Sequence, residues 1–220
     1  MVELTQRVSI INADCKDVMS SIHNIDLLFL DPPFDIWETV PYAKSNTAIC
    51  MTNWQNRMSV EQTYGKPRAE LIWHMPQPRW VSHNLPLQTH ESILVYGKTN
   101  EIYVGDKCTD MEPIKKGKSC IGKWKKDGRI YQPRERKGIR SVLTYSRDLK
   151  GHSGCWTKPL AMIELLLDWI QPEYVVDPYM GSSTVGIACI KKGIKYLGIE
   201  SDERIFTVAK QRLECTLSAM

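Results

Sequence analysis

Two short apolar runs that each stop at an Asp-Pro step constrain this chain most. Asp26-Leu27-Leu28-Phe29-Leu30 leads into Asp31-Pro32-Pro33-Phe34, and Tyr174-Val175-Val176 leads into Asp177-Pro178-Tyr179-Met180-Gly181-Ser182-Ser183-Thr184. Neither run alternates apolar with polar residues. A strand that is apolar on both faces belongs in a parallel sheet with helices packed on each side. Proline brings no N–H to a ladder, so each strand ends as its carboxylate emerges. Ligands of open α/β sheets bind at such C-terminal strand ends.

The remaining pattern fits an α/β order in one domain spanning residues 1–220. Val8-Ser9-Ile10-Ile11 and Ser92-Ile93-Leu94-Val95-Tyr96 read as strands, and Leu71-Ile72-Trp73 as a weaker one. Thr157 is placed to cap a helix with Pro159 in its first turn. Leu160, Ile163, Leu167 and Ile170 share one face of that helix, and Pro172 ends it. A helix over residues 184–192, a strand from Lys195 to Ile199 ending at Glu200, and a last helix through Ile205, Val208, Ala209 and Leu213 complete the order.

Residues 99–150 break this pattern and read as an insert with little core of its own, held by Trp124, Tyr131 and Tyr145. The whole chain carries a net charge of only +4. Residues 107–150 hold 14 Lys plus Arg against 5 Asp plus Glu, a local +9, which leaves −5 for the rest. A basic insert on a mildly acidic body suits a phosphate backbone, and a solvated basic loop is the alternative. Lys123, Trp124, Lys125, Lys126, Arg129, Arg134, Arg136 and Arg140 are its candidate nucleic-acid contacts.

Other classes are disfavoured. The chain has no 18-residue apolar run and its first residues lack a secretory apolar core, so it is expected to stay where it is made, as a cytoplasmic protein. Its seven cysteines form no C-x-x-C pair and read as reduced thiols. His152-x-x-Cys155 is a single pair, too little for zinc, and no metal is expected.

The first signature offers mostly acceptors. Asp31 brings two carboxylate oxygens, Pro32 a carbonyl held rigid by Pro33, and Phe34 a ring face. Such a set suits an extrahelical base with an exocyclic amino group, its N–H bonds accepted while the ring stacks. The acceptors would favour a pyramidal nitrogen whose lone pair attacks an electrophile in line. A plain strand-ending Asp-Pro turn is the competing reading. The second signature is a strand, a Gly/Ser loop and a helix, with Glu200 ending the next strand, as in a Rossmann-like nucleoside site. There Gly181 admits a ligand to the backbone, Glu200 can accept from ribose hydroxyls, and Asp177 can pair with an ammonium. An ordinary strand-to-helix turn with a surface glutamate competes.

With these motifs in this order, the chain resembles the amino-methyltransferases of DNA (N6-adenine and N4-cytosine), in the permuted β group whose catalytic tetrapeptide precedes the cofactor loop. Asn12-Ala13-Asp14 looks like the family's strand end near the cofactor adenine. Thr89-His90-Glu91-Ser92-Ile93-Leu94 looks like its H-E-x-I-L strand, Lys158-Pro159 like its lysine-proline segment, and Asp177 through Thr184 like D-P-F-x-G-S-G-T. The resemblance implies a Rossmann-like, mostly parallel seven-stranded sheet with one reversed strand. It implies S-adenosylmethionine held by Asp14, Lys158, Asp177, Tyr179, Gly181, Ser182, Ser183, Thr184 and Glu200. It assigns catalysis to Asp31, Pro32, Pro33 and Phe34, and target recognition to residues 99–150. Cytosine enzymes of the family usually begin the tetrapeptide with Ser, so Asp31 points to N6 of adenine in double-stranded DNA. A homodimer and a restriction-modification setting accompany the resemblance.

Two departures stand out. Ser183 replaces the family's second glycine, which crowds the loop if its φ is positive. The recognition segment is short, which implies a short or loosely read site. N4-cytosine methylation, an RNA substrate, and a catalytically silent nucleic-acid-binding protein are the rivals. His90 and Glu91 read as structural, Trp73 as core, and Met58, Met75 and Met111 as packing residues, whereas Trp80 is a possible nucleic-acid contact.

Overall fold

The computed structural model describes residues 1–33, 43–80, 83–99, 139–147 and 157–220. Among them, one sheet of nine strands runs through the molecule, in the order β1-β2-β9-β8-β3-β4-β6-β5-β7. The strands are β1 (Val2–Thr5), β2 (Val8–Asn12), β3 (Ile25–Leu30), β4 (Ser45–Thr52), β5 (Ala69–Arg79), β6 (Gln88–Gly97), β7 (Val142–Thr144), β8 (Tyr174–Asp177) and β9 (Lys195–Glu200). The helices are α1 (Cys15–Val18), α2 (Arg57–Tyr64), α3 (Leu160–Ile170), α4 (Thr184–Lys192) and α5 (Glu203–Ser218).

The central seven strands, β2 to β5, match the expected sheet with β6 alone reversed. The sheet exceeds seven because β1 folds back antiparallel on β2 and β7 adds to β5 at the other edge. β7 comes from the segment read as an insert with little core of its own. Its Leu143 is buried, and Ile72 N–H donates to the Ser141 carbonyl at 2.7 Å. The end of the basic segment is therefore a sheet edge. Tyr145 packs on the core as expected, while Trp124 and Tyr131 lie outside the described residues.

Burial follows the patterns that form the elements. β3 buries Leu27, Leu28, Phe29 and Leu30 on both faces. β5 alternates, with Leu71, Trp73 and Met75 inward. α3 buries seven of its eleven residues and packs against α4, so it is largely a core helix. Thr157 does not cap it. Pro159 is its N-cap without a side-chain bond, and the Thr157 hydroxyl instead lies 3.4 Å from the Ser182 hydroxyl. Gln171, in the left-handed conformation, ends it. Met58 is exposed, contrary to its reading as a packing residue, because α2 buries only Val60. No described helix is long and apolar enough to cross a membrane.

Candidate functional site

β3 and β8 are parallel neighbours, with Leu28 opposite Val176. The two Asp-Pro signatures, far apart in sequence, thus leave the same sheet edge side by side. β8 leads through α4 to β9 on one side, and β3 leads to β4 on the other. This boundary is the switch point at which open α/β sheets bind ligands. Asp14, Glu200, Asp177 and Asp31 stand at or just beyond the ends of β2, β9, β8 and β3, in spatial order.

Asp31 is held by a lysine. Lys158 Nζ lies 2.9 Å from Asp31 Oδ2 and 3.5 Å from Glu91 Oε2. It also sits 5.6 Å from the centroid of the Trp73 ring. Burial pulls the Lys158 ammonium down, but Asp31 and Glu91 outweigh it and hold its pKa above the ordinary lysine value. Burial raises the Asp31 carboxyl, Lys158 offsets part of that rise, and Glu91 adds to it. Lys158, a candidate for the cofactor, has its ammonium engaged by these two carboxylates. Glu91, read as structural, belongs to this cluster. The H-E pair on a strand was the signal, since neighbouring strand residues face opposite ways and only Glu91 faces the core. Pro32 is buried and Pro33 exposed. Phe34 lies outside the described residues.

The loop after β8 is tightly bonded. Asp177 is 2% exposed. Its Oδ1 accepts from Tyr179 N–H at 3.3 Å and its Oδ2 from the Tyr196 hydroxyl at 3.3 Å. Burial, with the nearby Asp31 charge, raises its carboxyl well above the usual range. Asp177 thus braces the turn, with one protein donor on each of its oxygens. Ser183 has φ +60°, so the departure from glycine does fall at a left-handed position. Its side chain turns inward to Tyr196 and leaves the loop surface clear. Arg212 of α5 donates to the Ser182 carbonyl.

Glu200 grips the same loop. Oε2 accepts from Gly181 N–H at 3.1 Å and Oε1 from Asp202 N–H at 2.9 Å. Partial burial raises its carboxyl. Gly181 has φ +50°, and a Cβ there would meet nothing nearer than 4.0 Å, so the loop is open at this point. The Thr184 hydroxyl is buried without a hydrogen-bond partner among the described residues, whereas the Tyr179 hydroxyl meets the Cys15 thiol. Asp14 is exposed and caps α1, accepting from Lys16 N–H at 2.9 Å.

Of the basic-segment candidates, Arg140 is described and exposed. Lys123, Trp124, Lys125, Lys126, Arg129, Arg134 and Arg136 lie outside the described residues, as does His152-x-x-Cys155. No cluster among the described residues could hold a metal ion. Trp80 is exposed and packs edge-on to His83.

Comparison with known proteins adds a family. The model of a family described as DNA methylase matches residues 50–211. The Type II methyltransferase M.Cfr9I of Citrobacter freundii is 24% identical over 73% of this chain and 49% of its own length. The chain spans about half or less of the curated relatives it matches. Among solved structures, M1.HpyAVI in complex with SAM has a TM-score of 0.63 at 20% identity, covering 93% of this chain and 99% of that one. PvuII DNA methyltransferase, cytosine-N4-specific, has a TM-score of 0.63 at 12% identity, covering 96% and 90%. At such identities these two structures speak to the fold, and they share it.

Proposed function

Because the chain belongs to the DNA methylase family, we propose that it transfers a methyl group from S-adenosylmethionine to the exocyclic N6 amino group of a flipped adenine in double-stranded DNA. The observation that carries the reading is the adjacency of Asp31 and the Gly181 loop at the switch point of the sheet. One site there offers acceptors for an amino group, and its neighbour has the features of a nucleoside pocket.

The cofactor site fits its ligand on this chain's own features. The loop is open at Gly181, Thr184 holds a buried hydroxyl in want of a partner, and Glu200 keeps lone pairs beyond those used by Gly181 and Asp202. Glu200 would accept from the ribose, Thr184 and Ser182 would meet the polar end at the start of α4, and Tyr179 and Asp14 would border the adenine. Bound there, S-adenosylmethionine supplies a sulfonium methyl that is already electrophilic. The protein's task is then to aim the amino nitrogen.

Asp31 does so with one oxygen. Lys158 occupies Oδ2, which leaves Oδ1 to accept an N–H of the base. The Pro32 carbonyl would accept the second N–H, and Phe34 would stack on the ring. Positioning and electrostatics supply the acceleration, and no covalent enzyme intermediate is needed. Asp31 in the position where cytosine enzymes usually carry Ser favours adenine.

Mass spectrometry of nucleosides from DNA incubated with the protein and S-adenosylmethionine tests the reading. N6-methyladenine is the expected product. N4-methylcytosine would keep the mechanism and overturn the base. Cofactor and DNA binding with no methylated nucleoside in DNA or RNA would replace the enzyme with a silent binder.

A further inference from the structure

Trp73 on β5 and Glu91 on β6 are directly opposed across the two strands. Cross-strand partners share a face of the sheet, and both of these side chains meet Lys158. Trp73 is itself anchored, since its Nε1–H donates to the Tyr145 carbonyl at 2.9 Å. The lysine therefore has three attachments: a ring below it, a carboxylate at 3.5 Å, and Asp31 at 2.9 Å. The Glu91 side chain is 6% exposed, and its Oε2 has no hydrogen bond among the described residues. A buried carboxylate with only this longer contact to its cation is costly to keep.

We infer that Glu91 is a positioning residue: with Trp73 it seats Lys158 so that the ammonium grips one oxygen of Asp31 and leaves the other free for the substrate amino group. The inference rests on the proposed role of Asp31. Without Glu91 the flexible lysine stem has several rotamers from which to chelate both oxygens of Asp31 and so occupy the one the substrate needs. The cluster also sets the charge that Asp31 experiences. The groups facing it are Lys158 ahead of α3, Glu91 on β6 and Asp177 on β8. Removing the Glu91 charge takes away a like charge and leaves Lys158 undivided, and both changes favour ionised Asp31.

The test uses Glu91→Gln, which keeps the shape and one acceptor, and Glu91→Leu, which keeps neither charge nor acceptor. In the cofactor-free protein, carbon-13 carboxyl NMR should show Asp31 titrating at a lower pH in Glu91→Gln than in the wild type. In methyl transfer, the acid limb of kcat/KM should move to lower pH by the same amount. Glu91→Leu should lose on the order of tenfold or more in kcat with the cofactor Kd unchanged. Intact cofactor binding verifies that each variant is folded. An Asp31 titration unmoved or raised in Glu91→Gln overturns the inference, as does a kcat unchanged in Glu91→Leu. The NMR readout needs no turnover, so it stands even if the proposed reaction fails.

Discussion

The Ser183 hydroxyl lies 3.1 Å from the Tyr196 hydroxyl, whose single proton goes to Asp177 Oδ2 at 3.3 Å. Three buried groups thus form one hydrogen-bonded chain between the loop after β8 and β9. The serine bears a left-handed φ that costs roughly 1–2 kcal/mol for a residue with a Cβ. Its hydrogen bond returns about 1 kcal/mol. Ser183→Gly should therefore change stability by no more than about 1 kcal/mol. Tyr196→Phe strips a buried acceptor of its donor and should cost about 1–3 kcal/mol. Urea unfolding of both variants distinguishes this chain of bonds from simple packing, for which Tyr196→Phe would be silent.

Asp31→Ala removes the acceptor and leaves the Gly181 loop and Glu200 untouched, because their contacts are made to one another. Transfer should fall by about 10²–10³-fold, the usual effect of losing a preorganised hydrogen-bonding group. The cofactor Kd should stay within a few-fold. A labelled-methyl assay read beside equilibrium cofactor binding checks both, and undiminished transfer rejects Asp31 as catalytic.

The basic segment carries a separate expectation. Alanine at Lys123, Lys125 and Lys126 should weaken DNA binding at every sequence and flatten the plot of log K against log salt. Each lost phosphate contact reduces that slope by about 0.9. An unaltered slope would move the DNA surface away from these residues.

The elements that the sequence made legible are those whose pattern is local. β3, β8, α4 and β9 each have an uninterrupted apolar run or a glycine boundary, and each forms where the pattern puts it. β4 was missed because Ser45-Asn46-Thr47 begins it with polar residues, although Thr47 is buried and bonds the Lys98 carbonyl. β7 was missed because three residues in a basic stretch carry no period, and only the β5 edge makes them a strand. Asp31, Gly181 and Glu200 were legible as site candidates from their place at strand ends. The partnership of Asp31, Lys158 and Glu91 was not, since it depends on three elements that meet only in the folded sheet.

Lys158→Met leaves Asp31 and Glu91 as two carboxylates with no cation between them. Removing one partner of a buried ion pair typically costs about 3–5 kcal/mol, because the remaining charge is stranded. The Asp31 carboxyl, already raised by burial, should rise further, so protonation relieves part of the damage. The stability loss in Lys158→Met should accordingly be larger at pH 8 than at pH 5, by urea unfolding at both. An equal loss at the two would mean that Lys158 contributes packing alone.

Asp177 gives a pH dependence of opposite sign to a surface ion-paired carboxylate. Its carboxyl is raised well above the usual range by burial and by the Asp31 charge, with Tyr179 N–H and Tyr196 offsetting only part. In the unfolded chain it titrates near its free value of about 3.9. Between that pH and the raised native value the folded protein holds the more protons, so stability falls as pH rises through the window. Asp177→Asn does not titrate, and its amide can still accept from Tyr179 N–H. Asp31 and Glu200, also raised, are present in both proteins and largely cancel in the difference. Wild type should therefore lose stability relative to Asp177→Asn as pH is taken upward from about 4. A stability difference that stays flat from acid to neutral pH would mean that Asp177 is ionised at no cost, and that its two donors compensate its burial fully.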